Sequence, residues 1–413
     1  YPPFGHCLGL HKVTDFHRFI YLGTRTELDE PTGIAAVKLS IKDDPSTESD
    51  DDELTVFGLN SGRCEIIYNT SIYEAALYGE CGDEEGQFSA PLGIAAGRDG
   101  DVFVADTGND RVVRLLYADD SLRWVKSFGS RGSGPRQFMG PSKVALGASG
   151  KVYVTDTGND RIVVMSPEGE FVSTIEGDGR SGIRLEHPFG LAVVENDDPW
   201  ISRGRGFIAV SDRGGERITA FDAEGSVLWS ADAADALFEN ALYQALAIDF
   251  YGNVYAVDGP GGRIHKLDRE LRYVTSFGRT GRGDREFQDP RGITLWRRFG
   301  QIFVTERKGA QYLWIGTDIL DLAVEPVSFT PGEEHVTFSY ELTETSRVTL
   351  AVLDARGRTV ATLTENRRRA IGHNTERWDG LRGAGTPPAP GRYTFRISAR
   401  PTYSSGDYFH DTE

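Results

Sequence analysis

A unit of about fifty residues recurs six times in this chain, and a repeat of that length has to be one supersecondary element that buries its faces against neighbouring copies. Its clearest copies are FSAPLGIAAGRDGDVFVADTGNDRVVRL from Phe88 and FMGPSKVALGASGKVYVTDTGNDRIVVM from Phe138. Looser copies follow as HPFGLAV with GFIAVSDRGGERITAFD, then QALAIDFYGNVYAVDGPGGRIHKLD, then DPRGITLWRRFGQIFVTERKGAQYLWI. EPTGIAAV with LTVFGLNSGRCEII is a degenerate first copy. Within a copy, short apolar runs alternate with Gly, Asp and Asn turns, which predicts four antiparallel strands. Such a sheet exposes two apolar faces on its own, whereas six arranged around an axis cover both and leave few free edges.

The predicted fold is therefore all-β: a six-bladed β-propeller over residues 17–320, preceded by an extension at 1–16 and followed by a C-terminal Ig-like β-sandwich at 321–400 and a polar tail at 401–413. Copy six lacks a fourth strand. The run Phe19-Ile20-Tyr21-Leu22-Gly23 ends as Trp124 to Gly129 and Tyr273 to Gly278 do, and it is expected to complete the sixth blade and close the ring. After about Asp321 the period disappears, and alternation at Val336, Phe338, Tyr340 and again at Val348, Leu350, Val352 indicates short strands of a sandwich.

The pattern Asp-Thr-Gly-Asn-Asp-Arg at 106–111 and 156–161 resembles the NHL-repeat family of six-bladed propellers. The order of VLDARGRTVATL, Trp378-Asp379-Gly380 and PGRYTFRI resembles the Ig-like domain of flagellar hook-capping proteins, which also ends many exported bacterial proteins. The first resemblance implies a fold rather than an activity, because one fold carries many functions. NHL-like lyases that cleave peptidyl-hydroxyglycine use several inward His with Arg and Tyr around a metal. Here the equivalent openings read Pro-Leu-Gly at 91–93, Pro-Ser-Lys at 141–143 and Pro-Arg-Gly at 290–292, so that His set is not supplied.

The most regular polar residues are expected to be structural. Asp106, Asp156, Asp212 and Asp258 each precede, across a turn, an Arg at 111, 161, 217 and 263. That interval suits a carboxylate that accepts turn amides while facing a guanidinium. Binding residues are sought instead where the repeat is broken. His187 stands at the entrance to a blade's inner strand, and the insertion at 195–206 places Trp200, read as exposed, and Arg203 among charges, so these three are the candidate ligand or partner contacts. The acidic run at 43–53, with Asp50, Asp51, Asp52 and Glu53, is a weak metal candidate, with Ca²⁺ the one candidate cofactor. It lacks the Gly and terminal Glu of an EF-hand loop and reads foremost as a solvated insertion. Arg367-Arg368-Arg369 reads as a solvated hairpin tip.

The net charge of −17 argues against a nucleic-acid partner, and no stretch is apolar enough for a transmembrane segment. Of three cysteines, Cys64 is read in the third strand of blade one and Cys81 just after its fourth, and the two are candidate disulfide partners, with Cys7 as alternative partner or free thiol. A first residue other than Met suggests a removed signal peptide or trimming. The expectation is an extracellular, periplasmic or cell-surface protein that is not an enzyme and binds a protein or extracellular polymer through propeller loops. The alternatives are a metal-assisted lyase or hydrolase working at the channel mouth and a structural subunit of an extracellular assembly.

Overall fold

A computed structural model describes residues 12–13, 22–23, 26–42, 54–71, 74–202, 205–233, 241–283, 286–298, 300–314, 316–381, 385–403 and 411–412. Cys7, Phe19 to Tyr21, Asp50 to Glu53 and Arg203 lie outside these residues. The chain divides into two compact units, one reaching Leu313 and the other running from Trp314.

The first unit holds six four-stranded antiparallel blades. Blade two shows the pattern: Gly93–Ala96 is the inner strand, followed by Asp101–Asp106, Arg111–Ala118 and the outer Ser121–Phe128. Inner strands of the other blades are Pro31–Val37, Pro141–Leu146, Leu191–Val194, Tyr243–Ile248 and Pro290–Trp296. Each lies beside the inner strand of the next blade, and that of blade six beside that of blade one, so the ring is closed. The second strands are largely buried on both faces, completely so in Asp101–Asp106 and Phe207–Asp212, because a blade is covered by a neighbour on either side.

Closure comes from the N-terminus, but not from the expected residues. Lys12–Val13 pairs antiparallel with the third strand of blade six, Lys12 opposite Gln311 and Val13 opposite Ala310. The strand thus falls within the stretch read as an extension, while Leu22 is helical and Gly23 lies in a turn. The endings that suggested Phe19 to Gly23 share only an apolar-to-Gly pattern, which any strand leaving a blade can show. Cys64 is not in the third strand either. It sits in the preceding turn with φ of 56° and is joined to Cys81 by a disulfide that ties the start of that strand to the segment leaving blade one.

The repeated acid accepts the backbone N–H of the segment that enters its blade. Asp106 takes Ser89 N at 2.7 Å, Asp156 takes Met139 N at 2.7 Å, and Glu306 takes Gln288 N at 2.7 Å. In the degenerate copy Asn60 accepts Asp29 N at 2.7 Å through its amide oxygen, so a neutral side chain serves the same backbone need. Asp106–Arg111 and Asp156–Arg161 are ion pairs at 2.7 and 2.8 Å, Asp212 pairs with Arg217, and Arg161 also donates to the carbonyls of Ser133, Gly134 and Gln137. Asp258–Arg263 departs from the expected set. Asp258 faces His265 Nε2 at 3.4 Å, and Arg263 turns to the Gly261 carbonyl. In blade five the turn is Gly259 to Gly262 without the repeat's Asn, and His265 stands two residues along the same face of the strand.

In the second unit, Ile319–Glu325, Val336–Leu342 and Gly372–Trp378 form one sheet, and Thr359–Arg369, Ser346–Leu353, Thr394–Pro401 and Asp411–Thr412 the other. Phe338, Tyr340, Leu350, Val352, Trp378 and Ile397 are the core between them. Gly380 is required where it stands: with φ of 79°, a Cβ there would come within 2.5 Å of the Phe329 ring.

Candidate functional site

Inner strands of a propeller surround its axis, so their side chains and the turns at their ends shape whatever opens there. Here the axis holds a cavity of about 580 Å³ that opens at the end carrying the turns between first and second strands. Its wall combines apolar side chains, Ile34, Ala95, Val144, Leu191, Leu246 and Ile293 from the six inner strands in turn, with the charged Arg98, Asp99, Asp101, Asp198 and Arg297.

One level of the inner strands, termed the waist below, carries small residues in five of the six blades. Gly33, Gly93, Gly190, Ala245 and Gly292 occupy equivalent places two residues after the start of the entry, and the neighbouring strands lie against them. A Cβ on Gly93 would meet the Cα of Lys143 at 2.6 Å, and one on Gly292 the Thr32 carbonyl at 2.0 Å. Blade three alone carries a long side chain at this level, Lys143. Its ammonium reaches sideways, donating to the Leu92 carbonyl at 3.0 Å on one side and lying 5.3 Å from the centre of the Phe189 ring on the other. Lys143 is 8% exposed, and burial holds its amine down at about 8.

The 195–202 segment of blade four crosses the open end. Glu195 accepts Ser149 N at 2.6 Å, Ser149 Oγ at 2.9 Å and Tyr153 OH at 2.8 Å from blade three. Asp198 pairs with Arg297 of blade six, whose other nitrogen donates to Val193 O at 3.2 Å, and Ser202 N donates to Phe250 O of blade five at 2.6 Å. Trp200 is half-buried with the Arg298 guanidinium 5.2 Å over its ring, and it lines the cavity rather than standing exposed. Three anchors on three blades make this a strap, so the break in the repeat is a structural part of the mouth. The indole Nε1 atoms of Trp200 and Trp296, both cavity-lining residues, are buried without a hydrogen-bond partner among the described residues. Unmatched buried donors are rare in native folds.

His187 is not brought to this mouth. It occupies the left-handed position that precedes the inner strand, φ of 49°, as do Glu30, Ala90 and Asp289 in other blades, and this places it at the opposite end of the strands. There its backbone N–H donates to Asp160 at 2.7 Å and its exposed ring is 3.8 Å from the same carboxylate. At that end Arg291 bonds Asp289 and pairs with Glu30, which Arg307 approaches at 3.9 Å. Among the described residues no three His, Cys, Asp or Glu side chains are grouped as metal ligands. Lys143 was legible only as an irregularity, a Lys where four of the other five copies have Gly, and that signal gained meaning once the position proved to be the waist.

The NHL repeat family model matches residues 88–115 and 138–165, and that of the FlgD Ig-like domain matches 326–402. A G-type lectin S-receptor-like serine/threonine-protein kinase, RKS1 of Arabidopsis thaliana, is 26% identical over 195 residues, covering 40% of this chain; the chain spans 23% of that relative's length. Similar solved structures include a streptogramin B lyase at TM-score 0.46 and 14% identity, covering 70% of this chain and 94% of the other. A gluconolactonase from Xanthomonas campestris has TM-score 0.48 and 14% identity, covering 73% and 93%. A PQQ-bound aldose sugar dehydrogenase from Streptomyces coelicolor has TM-score 0.45 and 15% identity, covering 70% and 97%. These neighbours are catalysts, a finding that corrects the expectation of a protein without enzymatic activity: the propeller is a fold that enzymes use. This all-β chain joins an N-terminal NHL-repeat propeller region to a C-terminal FlgD-type Ig-like domain.

Proposed function

We propose that this protein is an enzyme of the lyase or hydrolase kind, acting on a small carbohydrate- or peptide-like substrate in the propeller channel, with Lys143 as its base. The observation that carries the reading is an axial cavity at whose waist one copy of the repeat replaces Gly by a buried Lys with no carboxylate partner among the described residues. An amine held near 8 by burial has a substantial neutral fraction at physiological pH and can take up a proton. In an elimination, the neutral amine removes the proton on the carbon beside a substrate carbonyl. The C–H pair becomes the new C=C bond, the bond to the leaving oxygen breaks, and the ammonium returns its proton to that oxygen. The strap across the mouth limits entry of water. No step here runs through a metal.

The Cys64–Cys81 disulfide supports residence in an oxidising compartment, in keeping with an extracellular or surface location, and no helix among the described residues is long and apolar enough to cross a membrane. The test has two arms. Trace acetylation of the full chain across pH, read by mass spectrometry at Lys143, is expected to show a midpoint near 8. Turnover of a panel of aldonolactones and cyclic peptide lactones is expected to fall at least about a hundredfold in Lys143→Met with melting retained. A Lys143 midpoint near 10, or turnover that survives the substitution, refutes the reading.

A further inference from the structure

The sandwich carries an arginine array on a face that nothing in the preceding sections uses. In its second sheet Ser346–Leu353 is flanked by Thr359–Arg369 and Thr394–Pro401, and the register sets Arg347 opposite Arg368 on one side and opposite Arg400 on the other. Residues directly opposite across an antiparallel ladder share a face, so three arginines form one row on strands about 4.8 Å apart. Alternation confirms which face it is. Val348, Leu350, Val352, Ile397 and Ala399 are buried in the core, while Arg347, Arg396, Arg400 and Arg368 are exposed. The run read in the sequence as a hairpin tip is thus part of a strand, and Arg368 belongs to the row.

Between the arginines the face carries mainly small and hydroxyl side chains. Thr349 lies opposite Ser398, Ala351 opposite Arg396 and Thr362, and Leu353 opposite Thr394 and Thr359. The flanking strand Thr359–Arg369 adds one carboxylate, Glu365, exposed at the register shift between Val348 and Leu350. Arg347 donates one bond, to Asn366 O at 3.2 Å, and Arg396 and Arg400 have no ion-pair or side-chain hydrogen-bond partner among the described residues. Like charges placed directly opposite one another destabilise a sheet, and an anion bridging the facing Arg347 and Arg400 would offset that cost.

We infer that this face binds an acidic polysaccharide. Guanidinium groups recognise carboxylates through paired N–H donors, and the intervening Thr and Ser hydroxyls suit sugar hydroxyls. The flat, hydroxyl-bearing surface has no exposed large apolar side chain to enter a lipid interface. The inference is independent of the channel reading.

The test is affinity electrophoresis of the full chain in gels containing polygalacturonate, with dextran as the uncharged control. Retardation by polygalacturonate alone is expected, weakening at about 0.5 M NaCl as exposed charges are screened. The triple substitution R347S/R396S/R400S is expected to weaken it at least about tenfold, three exposed pairs each contributing a modest amount. Its melting temperature should be unchanged or raised, and R396S alone gives a smaller loss if the triple variant does not fold. Absence of retardation, or retardation unaffected by the substitutions, overturns the inference. Tighter binding to phosphatidylserine vesicles than to polygalacturonate overturns it in favour of a membrane.

Discussion

Replacing Lys143 by Met tests the waist of the channel through stability alone. The folded-state amine is held at about 8 by burial, against an ordinary value near 10.4 in an unfolded chain. A lysine whose folded value is depressed favours the folded state only while neutral. Above about pH 10.5 neither state is protonated and the penalty vanishes; as pH falls towards 8, the unfolded chain takes up a proton that the folded one resists. The full penalty is reached below about pH 7.5 and amounts to roughly 3 kcal/mol, at 1.36 kcal/mol per pKa unit. Met fills a similar volume without the charge, and it forfeits the bond to Leu92 O and the contact with Phe189 at every pH. The offset from those losses cancels when two pH values are compared. Denaturant unfolding of wild type and K143M, read at the propeller transition at pH 7 and pH 9.5, is expected to show the stability difference moving in favour of Met by about 2 kcal/mol at the lower pH. A difference that is flat with pH, or that grows in favour of Met as pH rises, refutes burial as the cause and removes the physical basis of a neutral amine at the waist.

Two further perturbations address the frame. Asp156→Asn leaves Arg161 without its buried carboxylate while keeping an acceptor for Met139 N, and about 2–4 kcal/mol of stability is expected to be lost, read as a fall in melting temperature far larger than any change in turnover. Cys64→Ser opens a link between residues 17 apart and is expected to cost about 3 kcal/mol, matched in wild type by reduction under a thiol; equal melting of oxidised and reduced protein would contradict it.

Much of the frame was legible because the repeat writes each blade in the same terms. Gly, Asp and Asn turns between short apolar runs specify antiparallel strands, and the acid of each copy recurs because every blade has the same entering N–H to satisfy, as Ser89, Met139 and Gln288 show. The exceptions were not legible, since they depend on partners far away in the chain. Arg263 matches the repeat in spacing, yet Asp258 is met by His265, because the turn in that copy lacks Asn. Trp200 reads as a charged-loop aromatic, but Arg298, 98 positions along, lies over its ring.

The sequence by itself determined a ring of blades and a sandwich behind it, because local turn chemistry and strand alternation act over a few residues and need no knowledge of the whole. Only the tertiary structure decided what meets at the axis and on the open faces. Closing the ring places Lys143 between Leu92 and Phe189, brings the 195–202 strap across the mouth, assigns closure to Lys12–Val13, and sets Arg347 between Arg368 and Arg400. Those juxtapositions are fixed by register and by circular closure, and neither is a property of any one segment.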